Sequence, residues 1–282
     1  MSATGYASRE PVKATPWHGL VVWDMFANGL TTGLFLVAVL CEFMWPDEFG
    51  PVARFAYPLA LLFLTVDLVL LTVDLGDPWR FHHMLRVFKP SSPMSLGVWS
   101  LTAYSFPLGV AAMFGFLPAG PVVETVRWTA LVLGIVPAFM SAVYKGVLLS
   151  TSSQPGWRDG RWLGASHTTG AIALGVAEMI VLALVMGRAE TAAYLQQMLT
   201  AALVIHLVPA VLVMLELRPA AIHGHGPMMG RLAALALFGG VILPVALLVV
   251  PGCPVLPPVL LVFAGNFLAR WLLVRLPHAT HS

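Results

Sequence analysis

Eight stretches of the chain stay apolar for about 20 residues or more, the length a helix needs to cross the hydrocarbon core of a bilayer. They are 19–44, 52–74, 95–117, 123–149, 163–186, 193–216, 229–250 and 256–275. Prolines and charges punctuate them. Asp74 closes the second, Pro93 and Pro118 bracket the third, and Glu216 with Pro219 end the sixth. Pro251 and Pro277 follow the last two; this is helix-boundary chemistry. The pattern predicts an all-α integral membrane protein with eight transmembrane helices. An even number of spans puts both termini on the same side, called here the N side. Residues 1–18 are polar, with Arg9, Glu10 and Lys13. Span one is too long for a signal h-region and no small-residue cleavage site follows it, so this segment is expected to stay as an N-terminal surface strap.

Composition sharpens that picture. The chain of 282 residues is 59% hydrophobic and 10% charged, against about 25% charged in ordinary globular chains. Its mean hydropathy is +0.85. A soluble globular enzyme and a disordered chain are both excluded. The net charge of +2 gives no ground for a nucleic-acid partner; the partner implied by composition is membrane lipid. Cys41 and Cys253 make neither a disulfide framework nor a metal site and read as two buried thiols. Of the 15 Lys and Arg, 12 fall on N-side segments and only Arg54, Arg127 and Arg188 on the far side. By the positive-inside rule this predicts cytoplasmic termini in the cell inner (plasma) membrane.

The N side carries the chemistry. Its richest loop, 74–94, mixes acids, bases, His82, His83, Trp79 and two Phe, and predicts an interfacial helix over roughly 78–88. The loop 150–162 offers Trp157 and Trp162 as interface anchors. His223, His225, His278 and His281 fall in loops or the tail, where His-x-His alone is a weak metal signal.

Polar residues inside spans cost several kcal/mol unless paired or hydrated, so they are more telling. At 1.5 Å per residue, Asp24, Asp74, Tyr144, Lys145 and His167 lie within about two turns of the N-side surface. Asp67, His206 and Glu178 lie deeper. Asn266 and Arg270 sit in the N-side half of span eight. Asn28 and Thr32 face the same depth range from span one, whose Gly29 and Gly33 allow close helix approach. The layout predicts a polar pocket open to the N side, with ionisable groups leading inward. Such a pocket suits a quinone, and Asp67, Glu178 and His206 would be its proton path. The plainer reading of each buried acid is a hydrogen bond to a neighbouring helix, favoured for Glu42 near the far interface.

Two motifs carry a family resemblance. Asp74-Leu75-Gly76-Asp77-Pro78-Trp79-Arg80-Phe81, followed by Lys89-Pro90-Ser91-Ser92-Pro93-Met94-Ser95-Leu96-Gly97-Val98-Trp99, resembles the signature of the polysulfide reductase membrane-subunit family, also called the NrfD family. Asp67 and Tyr144-Lys145-Gly146-Val147-Leu148-Leu149 add to it. The resemblance implies two four-helix bundles, here 19–149 with interfacial segment 75–94, and 150–282. It also implies no haem, a menaquinone or ubiquinone site in the first bundle, and an iron–sulfur electron-transfer subunit docked on the N side. That subunit would serve a further catalytic subunit of molybdopterin type. Tyr144 matches the family's quinone-pocket Tyr. Asp24 stands where the polysulfide reductase has a His, and Val21 where it has an Asn. Asp74 falls where the family places an acid, and Arg80 belongs to the loop signature. The expected cofactor-binding residues are therefore Asp24, Asn28, Thr32, Asp74, Arg80, Tyr144 and His167. Well-known relatives work with a partner outside the cytoplasm, which pulls against the Lys and Arg count.

Two other function classes compete. A haem b anchor needs two histidines at matching depth, but His167 and His206 lie about 6 and 14 Å below the N-side surface by helical rise. A secondary transporter would use interrupted helices. Pro107, Pro137, Pro209 and Pro244 permit kinks, but no repeat relates spans 1–4 to 5–8. No substrate-converting site is visible in the chain itself.

Overall fold

The computed structural model describes residues 19–118, 120–154, 156–225 and 227–276. The strap expected at 1–18 lies outside these residues, as do His278 and His281. All eight spans form, as α1 (Gly19–Met44), α2 (Pro46–Asp74), α3 (Pro93–Phe114), α4 (Pro121–Ser150), α5 (Leu163–Val185) and α6 (Ala189–His225). The seventh is α7 (Pro227–Leu237), continued through one π-helical stretch (Phe238–Ile242) into α8 (Leu243–Leu248). The eighth is α9 (Leu256–Arg275). No strand occurs among the described residues.

Proline shifts two of the expected boundaries. Span two begins at Pro46, six residues before the expected start, and keeps Pro51 and Pro58 inside the helix. Pro46 occupies the first turn, where its missing N–H has no partner to lose, and Asp47 and Glu48 favour the positive helix end there. Helix α6 runs through Pro209 and Pro219, because neighbouring helices and lipid make a break costlier than a kink. The interfacial segment forms as a 3-10 helix over Pro78–Leu85, shorter than the expected 78–88. It follows Gly76, whose φ of 72° is a left-handed turn that suits only glycine.

α1 and α5 are the most buried spans. α1 packs on α2, α4, α5 and α9, and α5 on α4, α6 and α9. α3 lies against α4 and α2, while α7 and α8 lie against α9 and α6. The α1–α5 crossing is backbone to backbone: a Cβ on Gly33 would sit 1.8 Å from the carbonyl oxygen of Ala171. Outward faces are apolar, with Phe106, Met113 and Val136 well exposed, as expected where lipid is the solvent. Trp157 is no interface anchor. It is buried, and its indole N–H donates to the Leu273 carbonyl at 2.7 Å, so it pins the loop after α4 onto α9. Trp162 is partly exposed. Cys41 and Cys253 are free thiols, Cys41 buried and Cys253 half-buried.

Candidate functional site

Two polar regions lie near the end of the bundle where α1 begins. The first joins α1, α2 and α4 around the Lys145 ammonium. Nζ pairs with Asp24 Oδ2 at 2.8 Å and Asp67 Oδ1 at 2.9 Å, and donates to the Asp24 carbonyl at 3.0 Å. Asn28 Nδ2 donates to Asp67 Oδ2 and contacts Ser141 Oγ, both at 3.0 Å. Thr32 Oγ donates to the Asn28 carbonyl at 2.6 Å. Asp67 is 0% exposed. A lone charge at such a place is prohibitive; an ion pair with its remaining hydrogen bonds filled is tolerated. Two carboxylates nevertheless share one ammonium, and Asp24 Oδ1 is buried with no hydrogen-bond partner.

Tyr144 is buried beside this cluster, one residue before Lys145. Its ring lies against Gly97 of α3: a Cβ there would come 2.1 Å from the ring. The glycine of the Ser95-Leu96-Gly97 motif is thus what admits the phenol.

The second region is a cavity of about 660 Å³ between α5, α6, α7 and α9. His167, His206, Asn266 and Arg270 line one wall. His167 Nδ1 contacts the Leu163 carbonyl at 2.9 Å, while its Nε2 is buried without a partner. His206 Nδ1 pairs with Thr169 Oγ at 2.8 Å. Arg270 Nε donates to the Met25 carbonyl at 3.1 Å, so the cavity wall touches α1 one residue past Asp24.

Of the residues expected to hold a cofactor, Asp24, Asn28 and Thr32 meet in the first cluster, with Tyr144 at its edge. His167 lies in the cavity wall. Asp74 stands exposed at the end of α2, seven residues and two turns beyond Asp67. Arg80 falls in the 3-10 segment, and its side chain is outside the described residues, like those of His223 and His225. Of the expected proton path, Asp67 is bonded to Lys145 and Asn28, and His206 to Thr169. Glu178 is buried with both carboxylate oxygens unpartnered. No hydrogen bond among the described residues links the three. Glu42 is fully engaged near the far end: Tyr57 donates to it at 2.6 Å and Arg127 pairs with it at 2.8 Å.

Lys145 is the member that sequence reasoning noted but left out of the site. The signal was present, since a lysine within a span requires an acid beside it. Ser141, one turn before it, carried no such signal.

Comparison with known proteins agrees with this architecture. The family described as polysulphide reductase, NrfD matches residues 8–275, and this protein belongs to that family. It is 29% identical over 161 residues to the C subunit of polysulfide reductase from Wolinella succinogenes, covering 51% of each sequence. The match therefore spans about half the length of that curated relative. Family and spans together make this a multi-pass membrane protein.

Proposed function

We propose that the protein is the quinone-reactive membrane subunit of a multi-subunit reductase complex. It exchanges electrons between membrane menaquinone or ubiquinone and an iron–sulfur partner subunit, which in turn serves a molybdopterin-type catalytic subunit. Supporting this are family membership, a relative named as one subunit of a polysulfide reductase, and above all one observation: the orphan buried acceptor Asp24 Oδ1, held beside Tyr144.

A quinone headgroup supplies two carbonyl oxygens that take up two protons with two electrons on reduction to the quinol. The protein's part is to hold and move those protons. Asp24 Oδ1 can accept from a hydroxyl. The carboxylate cannot swing away, because Lys145 grips its Oδ2 while Asp67, itself held by Asn28, keeps Lys145 in place. Tyr144 would donate its phenol hydrogen to the opposite oxygen. His167, in the wall of the neighbouring cavity, is a further proton-exchanging group at this depth. The arrangement serves proton exchange at Asp24; a transmembrane relay would need Asp67, Glu178 and His206 to connect through groups that do not now bond to each other. The Lys and Arg asymmetry supports an N side that faces the cytoplasm, against the habit of well-known relatives.

The test is a photoreactive quinone analogue, titrated against the intact complex in native membranes. Asp24→Asn and Tyr144→Phe should each weaken labelling and slow quinone-linked electron transfer, Asp24→Asn by about 10²-fold or more, as loss of a proton-transfer group does. Unaltered labelling and turnover in both variants overturns the reading.

A further inference from the structure

Apart from His167 in its wall, the cavity between α5, α6, α7 and α9 has no part in the Asp24–Tyr144 site, and its chemistry differs. At about 660 Å³ it falls within the roughly 300–1,000 Å³ of ordinary ligand pockets. Among the described residues its lining holds Arg218, Arg231 and Arg270 with His167 and His206, and no Asp or Glu. Arg218 and Arg231 are exposed at its rim, near the ends of α6 and α7. Arg270 is buried. Its hydrogen bonds go only to neutral oxygens: the carbonyls of Met25 and Asn266 at 3.1 Å, and Asn266 Oδ1 at 2.9 Å. Among the described residues it has no carboxylate partner. A guanidinium removed from water without a counter-charge is poorly stabilised by carbonyls alone.

Depth sorts the rest. By helical rise, Arg231, Arg270 and His167 lie within about 8 Å of the helix ends and Arg218 within about 11 Å. Further in, the lining is Ala210, Ala236, Leu237, Gly240 and Val241. The deep polar groups are largely engaged: His206 through Nδ1 by Thr169, and Asn266 by Arg270 and the Val262 carbonyl. The floor closes where the π-helical stretch carries Gly240 against Gly265, so close that a Cβ on Gly240 would stand 2.6 Å from the Gly265 Cα.

We propose that this cavity binds an anionic phospholipid, phosphate at the arginine rim and one acyl chain along the apolar wall toward Gly240. Arginine pairs with phosphate through charge-assisted, often bidentate hydrogen bonds, and basic pockets between membrane helices take anionic headgroups. A neutral quinone headgroup gives no reason for three arginines and no acid. The site adjoins the quinone reading at His167, but the lipid argument rests on the arginines and the quinone argument on Asp24 and Tyr144.

The experiment uses the full-length protein purified in a zwitterionic detergent, with native mass spectrometry and thermal unfolding in added phosphatidylglycerol, phosphatidylcholine, inorganic phosphate or a short-chain quinone. The expected result is one retained anionic phospholipid and an unfolding temperature raised by phosphatidylglycerol alone. Arg218→Gln with Arg231→Gln should weaken phosphatidylglycerol about thirtyfold, from about 1 kcal/mol per arginine. Ala210→Phe, which leaves every arginine in place, should weaken it by filling the acyl path. Asp24→Asn should leave lipid retention unchanged, which separates this outcome from the fate of the quinone site. Equal response to phosphatidylcholine overturns the proposal, as does equal stabilisation by inorganic phosphate, which would mark a free-anion site. Displacement of the lipid by the quinone overturns it as well. Should the double variant fail to fold, the wild-type comparison of the two lipids and Ala210→Phe decide.

Discussion

The α1–α2–α4 cluster and the α5–α9 cavity lie near the same end of one bundle and treat buried charge in opposite ways. In the cluster, two carboxylates close on one ammonium at 2.8 and 2.9 Å, and Asn28 fills a remaining position. The one ammonium ties both carboxylates and three helices together and leaves only Asp24 Oδ1 open. In the cavity, Arg270 has no acid among the described residues and leans on backbone and amide oxygens, with two more arginines at the rim. There the protein leaves its positive field uncancelled and open to a ligand. Internal pairing makes a rigid scaffold for a proton acceptor, whereas withheld pairing makes a receptor. Arg270 joins the two, since it grips the α1 backbone just past Asp24.

The sharpest way to break that contrast is to remove each cation. Lys145→Met leaves two buried carboxylates facing each other, and should cost about 3–5 kcal/mol, read as loss of folded protein from the membrane. Adding Asp67→Asn should restore part of it. Arg270→Met strands only carbonyl oxygens, so its cost should be smaller, about 1–3 kcal/mol, in the same thermal unfolding assay. If the two losses are equal, the cavity's arginine is structural in the same sense as Lys145. A substitution at Gly97 probes the cluster's edge. Gly97→Val drives a methyl into the Tyr144 ring and should cost about 1–3 kcal/mol by overpacking, while abolishing quinone labelling before it unfolds the protein. The smallest effect belongs to Glu178, a buried acid outside both regions with no hydrogen bond to lose. Glu178→Gln should change thermal stability by under about 1 kcal/mol or raise it. A marked loss of quinone-linked activity in that variant, with stability unchanged, would give Glu178 a part in proton transfer.

Particular residues show where legibility in the sequence stops. Asp67 and Asp74 share a helical face, and both have the look of pocket residues. Only Asp67 is enclosed, bonded to Lys145 and Asn28, whereas Asp74, two turns on at the end of α2, is exposed. Trp157 carries the usual mark of a headgroup anchor, yet it is bonded to α9 inside the protein. Glu42 reads as structural and is so, since an acid near a span end has few other uses, but its partner Arg127 lies 85 positions further on and no periodicity connects them. The cavity is invisible for the same reason. Ala, Leu and Gly line most of it, and in a sequence this apolar they look like any other lipid-facing stretch.

The order of hydrophobic and polar positions was sufficient to determine eight spans, the end of the bundle that gathers the polar groups, and the residue types able to exchange protons there. Span length follows from bilayer thickness, and a polar group in hydrocarbon must stand out against its neighbours, so both are local signals. Only the tertiary structure decided that Lys145 belongs to Asp24 and Asp67, that Gly97 makes room for Tyr144, and that Arg270 bonds to backbone and amide oxygens. Those are matters of which helices touch and at what rotation, which lipid-exposed and protein-facing apolar residues, being alike in chemistry, do not encode one by one.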